Sequence, residues 1–299
     1  MLRQGNSHSE IADALGFHVS TISREIHRNS GQRGYRPKQA GAFAAERKAR
    51  QRKRPKIVGS LAVEVEARLR MLHSPEQISG SLRRENSETI SHETIYRYIA
   101  RDKKAGGDLY VCLRINSRRR RRPRVKGTRS QIVGRVDISQ RPASVETRRF
   151  YGDWEVDLVE GTKGTGFILS LIERKSRYSL FEKLEDKKAS TVATAIVRRL
   201  RGYKVRSLTY DNGLEFSDHL EVTRELGAKG YFCTPYHSWE KGLVENHNGL
   251  LRQYYPKGES FAEVNQSALN WVEEEINERP RKALEFASPA DYVHCLRAA

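Results

Sequence analysis

Cysteine is scarce in this chain of 299 residues, which has only Cys112, Cys233 and Cys295. An odd number, so widely spaced, supports neither a disulfide framework nor a cysteine-rich zinc site. Long apolar runs are missing as well. Stretches such as Phe167 to Ile172 are far too short to cross a bilayer. No apolar signal region follows Met1. These absences leave a reducing, cytoplasmic setting as the expectation, with no membrane partner. Negative charge is in short supply in one half alone. Residues 1–150 carry 34 Lys/Arg against 14 Asp/Glu, an excess of +20, whereas the remainder carries 21 against 23 and stands at −2. A basic half joined to a near-neutral half points to a polyanion-binding module attached to a second activity. Nucleic acid is the first candidate, because each neutralised phosphate releases condensed counterions. A basic membrane-surface helix or a solvated basic face is the alternative. Two or three domains are expected at this length.

Within the basic half, residues 1–30 read as two short helices. Ser7-x-x-Glu10 has the spacing of a capping box, and Ile11, Ala12 and Leu15 share one apolar face. Gly16 breaks the first helix. The second begins near Val19 and sets Ile22 and Ile26 one turn apart. This suggests a helix-turn-helix whose second helix offers Ser20, Thr21, Ser23, Arg24 and Arg28 to a DNA major groove. An ordinary helical hairpin carries the same pattern. A basic helix follows, roughly Lys38 to Arg54, which closes a first region of residues 1–55.

The pattern then recurs. Leu61, Val65, Leu69 and Leu72 form a helical stripe, and Ser74-Pro75-Glu76-Gln77 supplies a cap, a first-turn proline and a capping-box glutamine. A helix from about Ser91 contains Thr94-Ile95-x-Arg97-x-Ile99, which matches Thr21-Ile22-x-Arg24-x-Ile26. Residues 56–104 therefore read as a second helix-turn-helix-like unit. Arg97 is its DNA contact, unless the copy is degenerate and only packs. Gly106-Gly107 and the run Arg118 to Arg122, with Pro123, Arg124, Lys126 and Arg129, mark residues 105–144 as a linker. Five consecutive arginines repel one another and resist folding alone, and in this setting they suit a phosphate backbone.

From about Phe150 the texture changes. Trp154, Val156 and Leu158 alternate with Glu155 and Asp157, as in a half-buried strand. Phe167 to Ile172, Tyr178 to Leu184, Val205 to Tyr210 and a stretch near Tyr231 read as further strands. Helices are expected around Val192 to Leu200, Leu220 to Leu226, and from about Gly242 and Ser267. Three strands followed by alternating helix and strand give an α/β domain over 145–299, a mixed sheet with flanking helices. Asp157 falls late in the first strand, Asp211 directly follows the fourth, and Glu245 lies in the first turns of a helix. Ends of neighbouring strands converge, so two such aspartates can share a metal site that a helical glutamate completes. Hard oxygen ligands suit Mg²⁺ or Mn²⁺, and two ions would serve in-line phosphoryl transfer. Lys241, Asn248 and Arg252 fall at −4, +3 and +7 from Glu245, on one helical face where they could hold a DNA backbone. A solvated stripe is the plainer reading. Glu155, two residues before Asp157 on the same face, is a reserve carboxylate outside the triad. His237 could orient a phosphate and Trp239 could stack on a base, although a loop histidine and a packed tryptophan are ordinary alternatives.

The spacing of Asp211 and Glu245 is similar to that in DDE transposases and retroviral-type integrases. Trp154-Glu155-x-Asp157-Leu158, Asp211-Asn212-Gly213-x-Glu215-Phe216, Pro235-Tyr236-His237-Ser238-Trp239-Glu240-Lys241-Gly242 and Glu245-Asn246-x-Asn248-Gly249-Leu250-Leu251-Arg252-Gln253-Tyr254 resemble the insertion-sequence-thirty family. So do Ser20-Thr21-Ile22-Ser23-Arg24-Glu25-Ile26 and Arg33-Gly34-Tyr35-Arg36-Pro37. The likeness covers nearly the whole chain and is densest from Tyr231 to Tyr254. It implies a ribonuclease-H-like catalytic fold behind all-α helix-turn-helix units, with Asp157, Asp211 and Glu245 as the catalytic and metal-binding triad. It also implies binding of terminal inverted repeats and target DNA on the bacterial nucleoid, and cleavage and transfer of strands by a homo-oligomer. Members of that family usually have a further helix before the first helix-turn-helix. Its lack here predicts exposed apolar surface on Ile11 and Leu15 and a weakened first unit. Two rival functions remain at this point: a repressor of element ends without chemistry, and a nuclease that cuts but never joins.

Overall fold

The computed structural model describes residues 1–50, 55–85, 89–114, 132–235 and 237–298, so the arginine run 118–122 lies outside the described residues. Two compact units emerge, Met1–Lys56 and Ile57–Ala299. No helix among the described residues is long and apolar enough to cross a membrane.

In the first unit, α1 (His8–Leu15) opens with the expected capping box. Ser7 Oγ accepts from the Glu10 N–H at 3.3 Å while Glu10 Oε2 accepts from the Ser7 N–H at 2.7 Å. Gly16, at φ +68°, closes the helix in the left-handed conformation that glycine tolerates. α2 (Val19–Asn29) packs Ile22 and part of Ile26 on Ile11 and Ala12. Ile11 is only 5 % exposed, so the expected apolar exposure falls on Leu15, at 51 %, and on Phe17 and Val19 beside it. A short antiparallel pair, β1 (Ser30–Gly31) and β2 (Gly34–Tyr35), leads to α3 (Pro37–Arg50). Arg47 on α3 holds the end of α2 by donating to the Arg28 carbonyl at 3.0 Å and to the Asn29 side chain.

The second unit begins with α4 (Ser60–Arg70), α5 (Pro75–Arg84) and α6 (His92–Lys104), wrapped around Val65, Leu69, Ile78, Leu82, Ile95 and Ile99. The Ser74/Gln77 capping box forms as expected. Ile95 is buried and Arg97 exposed, as are their counterparts Ile22 and Arg24. This bundle is docked on the C-terminal segment. Gln77 Nε2 donates to the Pro280 carbonyl at 2.8 Å, and a Cβ on Gly80 would lie 2.2 Å from the Phe286 ring, so α5 approaches closely only with glycine there.

After α7 (Ala143–Glu146) come β3 (Asp153–Glu160), β4 (Phe167–Glu173), β5 (Ser179–Leu184), α8 (Ala189–Leu200), β6 (Ser207–Tyr210), α9 (His219–Leu226) and β7 (Lys229–Phe232). The chain ends with α10 (Gly242–Leu251), α11 (Gln266–Glu278) and α12 (Pro289–Ala298). The sheet order is β5-β4-β3-β6-β7, with β3 antiparallel to β4, β4 antiparallel to β5, and β3, β6 and β7 parallel. Alternation along β3 sorts its side chains between two cores. Trp154 and Val156 join α8 and α9 residues such as Val192, Ile196 and Val222. Val159 points the other way, into a core with Val244, Leu251, Leu269 and Ile276 from α10 and α11. Asp157, in phase with Val159, is thereby committed to the face that α10 covers. This mixed sheet with helices on both faces is the ribonuclease-H-like arrangement.

Candidate active site

The parallel pairing of β3 and β6 sets the site. Glu155 pairs with Thr209, so two residues further on Asp157 comes level with position 211, just beyond the end of β6. The turn after β6 is held from several sides. Gly213 N donates to Asp211 Oδ1 at 3.1 Å, Asn212 Nδ2 donates to the Cys233 carbonyl at 2.7 Å, and Arg135 Nε donates to Asn212 Oδ1 at 2.9 Å. Asp211 therefore starts from a braced loop.

Lys241 joins the two aspartates. It ends the short helical turn Ser238–Lys241 that runs into α10, and its Nζ lies 3.0 Å from Asp157 Oδ1 and 3.6 Å from Asp211 Oδ2. Burial alone would lower the Lys241 ammonium. Asp157 and then Asp211 outweigh that and raise it above its ordinary value. Asn248, two turns along α10, donates from Nδ2 to Asp157 Oδ2 at 2.6 Å. The helical spacing from Glu245 already put Lys241 and Asn248 on one face. That their target is Asp157, and not an external phosphate, follows only from the docking of α10 on β3.

Glu245 itself is exposed, between these two residues on the helical stripe. Among the described residues no group of three or more His, Cys, Asp or Glu side chains is gathered as a metal cage. The structure thus brings Asp157 and Asp211 together and leaves Glu245 apart. One ammonium offsets only half the charge of two carboxylates, so a third has no electrostatic reason to close in. The donors present fit a hard cation nevertheless. Lys241 shows where positive charge is held between the aspartates, and Asn248 Oδ1 beside them is buried without a hydrogen-bond partner.

Glu155 is not a free ligand. Its side chain is 1 % exposed; Oε1 accepts from Arg174 Nη1 at 2.5 Å and Oε2 from the Val244 N–H at 2.9 Å. It anchors the first turn of α10, where a negative charge also complements the helix dipole. Glu240 pins the preceding loop by accepting from the Thr234 N–H at 2.7 Å. His237 and Trp239 stack with ring centres 4.2 Å apart, and Trp239 remains 67 % exposed. Arg252 turns to the protein's own backbone, donating to the Glu160 carbonyl at 2.7 Å and the Tyr255 carbonyl at 3.3 Å, with its guanidinium over Phe261. His247 had no signal in the sequence. It is buried against Ser179 Oγ at 2.7 Å and held well below its ordinary pKa, first by burial and then by Arg281, Arg177 and Arg114.

On α2, Thr21, Ser23, Arg24 and Arg28 are exposed and Ser20 is half-buried. Arg24 folds back on its own helix, donating to Ser20 O and Ser20 Oγ, both at 3.0 Å. On α6, Arg97 pairs with Glu93 one turn earlier at 3.0 Å.

A family model described as a helix-turn-helix domain matches residues 1–29. The transposase for insertion sequence element IS4351 of Bacteroides fragilis is 41 % identical over 294 residues, which cover 97 % of this chain and 90 % of that one. The transposase InsI for insertion sequence element IS30A of Escherichia coli (strain K12) is 40 % identical over 95 % of this chain and 77 % of its own length. Among solved structures, the catalytic core domain of BIV integrase matches 49 % of this chain and 96 % of its own, at 24 % identity and a TM-score of 0.39. On the strength of the two transposases, with the helix-turn-helix at one end and paired strand-end aspartates at the other, this chain belongs to the insertion-sequence-thirty (IS30) family of DDE-type DNA transposases.

Proposed function

We propose that Asp157, Asp211 and Glu245 form the catalytic triad, and that the chain cuts and joins the terminal inverted repeats of its own element on the bacterial nucleoid. The observation that carries this reading is the Asp157–Lys241–Asp211 bridge at adjacent strand ends, beneath the helix that bears Glu245. Transposases of this kind work with divalent metal ions, and two Mg²⁺ or Mn²⁺ ions suit a site of carboxylates. Bound there, they would make an attacking water or 3′-hydroxyl more acidic and would offset charge on the leaving oxygen. The protein supplies the placement. Asp157 and Asp211 would hold the ions from the sheet and Glu245 from α10. Asn248 fixes the rotamer of Asp157. Lys241 neutralises the aspartates beforehand and then turns its charge to the scissile phosphate.

In the first unit Ser20, Thr21, Ser23, Arg24 and Arg28 face the major groove of the element ends, and Arg97 contributes from the second helical bundle. A homo-oligomer brings two ends together with target DNA. The test is a pair of substitutions on pre-cleaved and intact ends, with Mg²⁺ as the metal. Asp157→Asn and Glu245→Gln are expected to abolish both cleavage and joining while binding of the ends persists. Joining by Glu245→Gln at the wild-type rate would place the third ligand elsewhere.

A further inference from the structure

α10 has a second working face. Lys241 and Asn248 reach Asp157 on one side, whereas Gly242, Asn246, Leu250 and Gln253 line a cavity of about 650 Å³ on another. Its remaining walls come from the α4–α6 bundle and the stretch after it to Arg114, from Arg148 after α7, from Arg177 between β4 and β5, and from the segment after α11. Six cations border it, Arg114, Arg148, Arg177, Arg279, Arg281 and Lys282, and the one acid is Glu76, already paired with Lys282 at 2.7 Å.

Four of the six are poorly compensated. Arg148, Arg177, Arg279 and Arg281 take part in no ion pair among the described residues. Arg279 is 1 % exposed and hydrogen-bonded to neutral groups, Gln253 Oε1 at 2.7 Å and the Tyr254 hydroxyl at 2.5 Å. The Nε atoms of Arg279 and Arg281 are buried without a hydrogen-bond partner among the described residues. The crowding registers in ionisation. Burial first, and then Arg279, Arg114 and Arg177, bring Arg281 down to about 9, while burial and Arg148 outweigh Glu155 and Glu173 and bring Arg177 down to about 10. Unpaired buried charge opposes folding, so an arrangement of this kind implies a counter-charge in the working state. The chain has almost none to bring. Residues outside the described ones contain a single acidic side chain, Glu88, against Arg52, Lys53, Arg54 and eight Lys/Arg between 115 and 131.

We infer that this cavity grips the phosphodiester backbone of the DNA being processed, on the other side of α10 from the carboxylates. Planar guanidinium groups converging on a recess suit phosphate oxygens, which they bind in pairs of parallel hydrogen bonds. The inference rests on the DNA-processing role above and adds a second point of grip. Held there, a backbone would fix the register of α10 against the duplex, with no contact to a base.

The experiment uses the full chain and a duplex of about 30 base pairs, with affinity measured across a salt series. The variant is Arg148→Gln combined with Arg177→Gln, because neither side chain has a hydrogen-bond partner among the described residues. Lys188→Gln combined with Lys204→Gln, two exposed lysines outside the cavity lining, is the control for the same loss of net charge. Losing two phosphate contacts should make the plot of log affinity against log salt shallower by about 2 and weaken binding roughly 60-fold at 0.1 M salt. The melting temperature of the free protein should hold or rise, since repulsion is relieved. A salt slope equal to that of the Lys188→Gln/Lys204→Gln control overturns the inference. So does weakened binding that comes with a lowered melting temperature, because the arginines are then braces of the fold. If pyrophosphate raises the wild-type melting temperature but the double variant binds duplex fully, the cavity takes a free polyphosphate and the inference also fails. Lack of metal-dependent cleavage by the wild-type chain would strike the triad alone and leave the slope comparison standing.

Discussion

Replacing Glu155 with alanine decides whether this strand carboxylate is a brace or a ligand. Glu155 is 1 % exposed and Arg174 2 %. Truncation leaves Arg174 buried, still holding Glu146 at 3.1 Å and the Val145 carbonyl at 3.2 Å. The loss therefore belongs near the lower end of the roughly 3–5 kcal/mol that breaking a buried pair costs. The Val244 N–H, in the first turn of α10, also loses its acceptor, which adds about 1 kcal/mol. The total of about 4 kcal/mol corresponds to a melting temperature lower by roughly 8–16 °C for a unit of this size. Glu155→Gln keeps an acceptor for one of the two donors and should fall roughly midway. Thermal unfolding by circular dichroism reads both, and metal-dependent joining by the glutamine variant at 25 °C should stay within about tenfold of wild type, equivalent to 1.4 kcal/mol. Melting of Glu155→Ala within about 1 °C of wild type would refute the buried-pair reasoning. A stable Glu155→Gln that has lost its metal dependence would make Glu155 a ligand.

Two further outcomes are expected. Arg252→Ala should lower stability by about 1–3 kcal/mol by releasing the Glu160 and Tyr255 carbonyls, and leave the salt slope of DNA binding unchanged; a shallower slope would restore Arg252 as a phosphate contact. His73 is lowered to about 4, by burial first and then by Arg279, Arg68 and Arg281. The folded state thus binds this proton more weakly than the unfolded chain, so stability present above pH 6.5 drains away as the pH falls towards 4. The loss amounts to about 3 kcal/mol. His73→Gln should flatten that stretch of the pH–stability curve, measured by urea unfolding at each pH, and an equally steep curve in the variant contradicts the assignment.

What could be seen beforehand was what short-range chemistry dictates. The Ser7/Glu10 and Ser74/Gln77 boxes, the Gly16 stop and the alternation through Trp154–Leu158 each depend on a few adjacent residues, and each element formed where expected. The bridge between Asp157 and Lys241 spans 84 positions and needs α10 to be docked before it exists. Glu155 looked like a spare carboxylate because nothing near it in the chain announces Arg174 as its partner. Charge counting misled in a more instructive way. The second half sums to −2, yet Arg177, Arg279, Arg281 and Lys282 all come from it. Averaging over half a chain hides a cationic recess assembled from segments a hundred residues apart.

The density of recognisable motif between Tyr231 and Tyr254 has a physical ground in how many jobs α10 performs. Lys241 and Asn248 engage Asp157, Val244 takes Glu155 through its N–H, and Val244 and Leu251 fill the core beneath the sheet. His247 meets Ser179, while Gly242, Asn246 and Leu250 border the cationic recess. Rotation between successive residues is about 100°, so sliding the sequence by one position would carry each of these side chains to the wrong partner. Glu245 is the exception that makes sense of the rest. The contacts that dock the helix on β3 are made without it, and its side chain is exposed. A helix so held can present Glu245 on the stripe between Lys241 and Asn248, because no hydrogen bond or ion pair among the described residues that docks it involves that acid. The stripe from Lys241 to Asn248 is thus held by its own contacts around the residue proposed as the third ligand.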